Sequence, residues 1–234
     1  MRAMPLCRTA RSAAAVVVIV LTAACGTEEA IRATSGPVTS TAAATTATTR
    51  PSRTVTEEAW TPFATAGGVT LTHPSSRVER VAFHQSNHDG ARQLTALPSA
   101  VAPTTLEDRE RDTGRFGAAD VVVDPATEIR SPVTGRVKRA GRYVLYCDHS
   151  DDYVVIEPDA HPGWEVKILH IDGVQVRAGN RVVAGRTVLA PRPTQLPFES
   201  QVDEVRTADP AWPHIHIEVV DPSIPDRPTG PGCT

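Results

Sequence analysis

From about residue 78 onward, short runs of β-branched residues alternate with polar positions and are separated by turn residues. The runs are VERVAFH, DVVVDP, GRVKRAG, YVLYC, YVVIEP, EVKILHI, VQVRAG, RVVAG, TVLAP and HIHIEVV. No stretch shows the 3.6-residue apolar period of an amphipathic helix, and Gly and Pro recur between the runs. The pattern predicts an all-β fold, a twisted antiparallel sheet or barrel-like sandwich. Two turns, SPVTGRV and VRAGNRVVAGRTVL, place Gly135, Gly179 and Gly185 where a tight reversal calls for a positive φ. The acidic stretch TTLEDRERDTGRFG has no such pattern and reads as a surface loop leading into the sheet.

The N-terminal part has a different character. MRAMPLCRTARSAAAVVVIVLTAAC joins a basic start (Arg2, Arg8, Arg11) to an apolar run from Ala13 to Ala24, too short to span a bilayer and shaped like an export signal over residues 1–24. TAAC resembles the bacterial lipobox, with Thr22 where leucine is commoner, which makes Cys25 the expected lipidation site and the membrane an expected partner through acyl chains. Residues 25–64 are rich in Thr, Ala, Ser and Pro and read as a disordered spacer. A strand-and-loop segment over 65–115, a β core over 116–222 and a cysteine-containing tail over 223–234 follow. The expected location is the outer face of the cell membrane.

Charge narrows the choice of partner. The chain carries 24 Lys and Arg against 27 Asp and Glu, and removing residues 1–24 takes away three arginines and no acid, so the formal charge moves from −3 to −6. That balance argues against nucleic acid. With Cys7 in the signal and Cys25 lipidated, Cys147 and Cys233 form the only remaining pair in an oxidising compartment. A bridge between them would contribute about 2–5 kcal/mol.

Candidate chemistry is concentrated in PHIHIEV. Side chains at i and i+2 of a strand share a face, so His214 and His216 would turn one way, with Glu218 beside them, and Ile215 and Ile217 the other. Eight histidines in 234 residues would give roughly 0.3 such pairs by chance, so context decides their meaning.

That context is a resemblance. DVVVDPATEIRSPVTGRV at 120–137, ILHIDGVQVRAGNRVVAGRTVLA at 168–190 and PHIHIEV resemble, in order, the core of the lysostaphin-type, LytM-like metallopeptidases that cut peptidoglycan cross-bridges. The resemblance implies a LytM-type sheet of duplicated hybrid-motif design, one Zn²⁺ and peptidoglycan peptide cross-links as substrate. It makes Asp120 and His216 metal ligands and His170 and His214 the catalytic pair. The family's first ligand would stand at position 116, where this chain has Phe116, with Ala118 in place of the usual glycine. A catalytic zinc wants three protein ligands, and His84 or His88 in FHQSNHDGA is the candidate replacement, the alternative being that this segment is a plain surface turn. A zinc endopeptidase is therefore one expectation, and an inactive LytM-like domain that binds peptidoglycan or regulates a wall hydrolase is the other. A biotinyl- or lipoyl-carrier reading of the V-x-x-G-x-x-V-x-x-G turn fails because Lys138 and Lys167 do not stand at a hairpin tip.

Overall fold

The computed structural model describes residues 52–57 and 60–227. The signal segment, Cys25 and Cys233 lie outside them. Fifteen strands follow in chain order: β1 (Thr56–Glu57), β2 (Pro62–Ala66), β3 (Val69–Thr72), β4 (Arg77–His84), β5 (Thr95–Ala96), β6 (Pro103–Thr105), β7 (Ala118–Val123) and β8 (Ile129–Arg130), then β9 (Gly135–Leu145), β10 (His149–Pro158), β11 (Glu165–Asp172), β12 (Arg181–Val182), β13 (Val188–Ala190), β14 (Arg192–Pro193) and β15 (His214–Val220). A 3₁₀ turn at Gln201–Val205 is the only helical element among the described residues.

The main sheet has the order β1-β4-β7-β15-β11-β10-β9-β12, with β6 added parallel to β4 and β14 antiparallel to β11. β3-β2-β5 and β13-β8 form two smaller sheets. The fold is all-β and its pairings are antiparallel apart from β4 with β6. The barrel-like closure expected from sequence does not occur, because the path ends in the two-residue strands β1 and β12, which do not pair with each other.

The strands form where the sequence alternates or is apolar throughout. Ala119, Val121 and Val123 of β7, Ile215, Ile217 and Val219 of β15, and Val166 and Ile168 of β11 point into one core, which the smaller sheets cover with Phe63, Val69 and Leu71. Each such valine, leucine, isoleucine or phenylalanine contributes about 1.5–3 kcal/mol by leaving water. The opposite face of the same central strands carries Asp120, His214, His216 and Glu218, with a small apolar cluster of Ala82, Leu106, Val122 and Val202 beside them. The alternation of β15 thus divides core from chemistry, as the sequence predicts.

Several expectations need correction. The folded part begins before residue 65, since β1 and the first residues of β2 lie in the stretch read as spacer. β4, from the 65–115 segment, is an integral neighbour of β7. GRVKRAG and YVLYC fuse into the single long β9, and VQVRAG forms no strand. Gly179 and Gly185 do adopt positive φ (89° and 66°). Gly135 does not; it is needed because a Cβ there would stand 2.2 Å from the Glu157 carbonyl oxygen across the β9–β10 ladder.

Candidate metal centre and cleft

Register brings the donors together. Asp120 on β7 lies directly opposite His216 on β15, and the His216 Nδ1 is 2.9 Å from Asp120 Oδ1. On the other side of β7, His84 at the end of β4 lies opposite Ala118, two residues from Asp120 and therefore on the same face. Its Nε2 is 3.1 Å from Asp120 Oδ1. Ala118 faces both His84 and Glu218, and its small side chain keeps the space between the strands open. One ligand atom from each of His84, Asp120 and His216 fits within a mutual separation of 4.8 Å.

His84 is buried, and its Nδ1 is 2.9 Å from the Gln85 carbonyl, so that nitrogen carries the proton and donates it. Its Nε2 keeps an ion-pair contact with Asp120 but no hydrogen bond of good geometry, so this buried nitrogen is left without a well-directed partner. A buried nitrogen aimed into a site and left unsatisfied is costly. A cation between His84, Asp120 and His216 would satisfy it, and two imidazoles with one carboxylate suit zinc.

His88 does not join this group. Its Nδ1 pairs with Asp226 (2.6 Å), while its Nε2 lies 2.6 Å from Lys167 Nζ and 3.3 Å from Glu218 Oε1. Phe116 sits in the turn before β7 and packs edge-on against Phe83, whose ring belongs to the core on the opposite face. The position that the family resemblance would give to a ligand is therefore directed away from the cluster.

His214 completes the histidine group, its Nε2 3.8 Å from Asp120 Oδ2. Burial pushes its pKa down to about 4, so this imidazole is neutral. Burial opposes charge on His216 too, but the carboxylates of Asp120 and Glu218 outweigh it and raise its pKa. Burial works against the Asp120 carboxylate, yet the surrounding histidines hold it ionised, well below its ordinary range. Glu218, also buried, accepts from Ser86 Oγ at 2.5 Å and faces the His216 Nε2 at 3.8 Å, on the side away from Asp120.

His170 reaches the site by a local irregularity. Along β11, Val166 and Ile168 face the core, and strict alternation would send His170 after them. The register slips between Asp152 and Tyr153 of β10, which pair with Ile171 and Leu169, so His170 is the extra residue of a bulge, with φ +65°. The bulge turns its side chain to the site face and returns Ile171 to the core. Left-handed backbone at a non-glycine residue costs roughly 1–3 kcal/mol, and Asp151 holds it there. One oxygen, Asp151 Oδ2, accepts from His170 Nδ1 (2.7 Å), the His170 backbone N–H (3.1 Å) and the Tyr143 hydroxyl (2.8 Å). The His170 ring lies 4.9 Å from that of His214 and 6.1 Å from that of His216.

Asp151 and Tyr143 were not singled out from sequence. DDY reads as a polar strand end, and the only signal is an acid three residues before a β-branched run in a strand adjoining ILH. Trp164 is a core residue, whereas Trp212 packs under Arg53 and beside the small cluster, outside the cleft. Asp124 opens a turn after β7, accepting from the Ala126 N–H. Cys147 is disulfide-bonded at the tip of the β9–β10 hairpin.

All five histidine and aspartate side chains of the site, His84, Asp120, His170, His214 and His216, line one open cleft of about 380 Å³. Tyr146 and Phe198, their rings 5.3 Å apart, form an aromatic part of its wall. The chain matches no protein-family model, and no curated protein matches it.

Proposed function

We propose that this chain is a LytM-like zinc endopeptidase, exported and lipid-anchored through Cys25, that acts on the peptide cross-links of peptidoglycan. The observation that carries the reading is the unsatisfied Nε2 of His84 facing Asp120 and His216. His84 supplies the third donor that Phe116 does not. The alternative, an inactive wall-binding relative, rests on Phe116 at the family's first ligand position, and His84 beside Asp120 is what favours the enzyme over it.

His84, Asp120 and His216 would hold the metal. Zinc supplies Lewis acidity there, lowering the pKa of water and polarising a scissile carbonyl. The chain's own residues do the rest. With Nδ1 committed to Asp151, His170 presents Nε2 to the cleft as a proton acceptor, oriented as an imidazole is by a buried carboxylate. His214, kept neutral by burial, stands beside it with an N–H to hydrogen-bond developing oxyanion charge, and the proton that His170 takes up is the one returned to the leaving amine. Glu218 and Ser86 fix the far edge of His216.

The test is the full chain loaded with one equivalent of zinc and incubated with purified peptidoglycan, reading new amino groups. Release that a chelator abolishes and zinc restores is expected. Failure to hold stoichiometric zinc, or release indifferent to the chelator, would overturn the reading.

A further inference from the structure

Two arginines, Arg109 and Arg111, line the same cleft as the histidine cluster, and neither forms an ion pair among the described residues. The loop that carries them is firmly built. Gln85, buried and next to His84, accepts the Arg109 backbone N–H at Oε1 (2.7 Å) and donates from Nε2 to the Thr113 carbonyl (3.1 Å). Its own carbonyl accepts from Arg111 Nη1 at 2.6 Å as well as from His84. The arginine loop and the candidate ligand thus share one anchor.

The backbone of this loop is contorted. Glu110 and Asp112 both take φ +54°, left-handed backbone that a side chain disfavours. With those turns, the arginines at i and i+2 both enter the cleft lining, while Glu107, Asp108, Glu110 and Asp112 stay out of it. Two of these acids are occupied elsewhere: Asp108 accepts the Glu110 N–H at 2.8 Å, and Asp112 faces Arg227 at 3.5 Å. Burial and then the charge of Arg109 lower the pKa of Arg111, against the smaller pull of Tyr146, Asp120 and Glu218. Like charges set together at a strained, well-anchored loop are relieved by an anion, and guanidinium forks match a carboxylate with paired hydrogen bonds.

We propose that Arg109 and Arg111 form a carboxylate-binding subsite, so that the cleft selects wall peptides bearing a free carboxylate close to the bond that is cut. This rests on the peptidase reading for the identity of the peptide, and the test separates the two. Acetyl-D-alanyl-D-alanine and its carboxamide are titrated calorimetrically into the full chain, with and without zinc, in the wild type and in R109Q/R111Q.

The acid is expected to bind the wild type about tenfold or more tightly than the amide. The double variant should lose that preference while holding zinc as the wild type does. Equal affinity for acid and amide in the wild type, or a preference that survives in R109Q/R111Q, overturns the subsite. Because Arg111 also anchors the loop, R109Q is measured alone. Its exposed side chain has no partner among the described residues, and its loss should erase at least threefold of the preference; an undiminished preference counts against the proposal. An arginine-dependent preference in a protein that holds no zinc supports the subsite and defeats the peptidase. Zinc-dependent hydrolysis without the preference does the reverse.

Discussion

Replacing His84 with alanine should separate metal binding from folding. In the metal-free protein His84 makes one hydrogen bond, from Nδ1 to the Gln85 carbonyl at 2.9 Å, and its Nε2 keeps only the ion-pair contact with Asp120. Truncation then removes one modest bond and some packing, a loss of about 1–2 kcal/mol in stability. Metal affinity should fall much further. Structural zinc sites share about 10–16 kcal/mol among four donors, or about 3 kcal/mol each, which is roughly 100-fold in affinity. Competition with a chromophoric chelator gives the zinc constant, and urea unfolding without metal gives the stability.

The companion variant H84A/F116H restores a histidine at the position that the family resemblance assigns to the ligand. It should not recover zinc, because the side chain at 116 is directed toward Phe83 and away from Asp120. Unchanged zinc affinity in H84A would refute the assignment of His84. Recovery in H84A/F116H would refute the geometry on which it rests.

Asp151→Asn removes the charge that holds His170 in its bulge. Turnover should fall about 10- to 100-fold with zinc content unchanged, as for other carboxylates behind a working imidazole; loss of zinc along with activity would show that Asp151 serves the metal cluster instead. Glu165 gives a pH test: burial raises its pKa, but hydrogen bonds from Arg139 and Lys138 outweigh burial and hold it at about 2, against 4.5 for a free side chain. A lowered pKa makes the charged form stabilising above about pH 4.5, and that contribution disappears as pH falls toward 2. Because water screens the partly exposed Arg139 and Lys138 side chains, Glu165→Gln should lose only about 1 kcal/mol at pH 7 and converge with the wild type near pH 2, and parallel curves across that range would contradict it.

Much of the site is legible in the sequence because it follows from strand parity. HIHIEVV sets His214, His216 and Glu218 on one face and the isoleucines in the core, and DVVV offers Asp120 from a strand apolar enough to lie centrally. His170 is different. Simple alternation through Val166 and Ile168 points it into the core, and only the family resemblance suggested otherwise; the bulge that turns it outward depends on pairing with a strand sixteen residues upstream, which a local pattern does not contain. The choice between His84 and His88 was open for a similar reason. Four residues apart in the chain, they are separated by the end of β4 at His84, beyond which His88 falls into the charged group of Asp226, Lys167 and Glu218. The two-residue strands β8, β12 and β14 are too short to give any period at all.

The three donors come from three strands lying side by side, β4, β7 and β15, and not from one stretch of chain. In such an arrangement a ligand lost from one strand can be replaced from the next without moving the ion, since neighbouring rows of a sheet offer side chains to the same point in space. On the proposed zinc reading, an intact His-to-Asp string is then not a requirement for a working site. The better criterion is how many donors meet at the aspartate, whichever row supplies them.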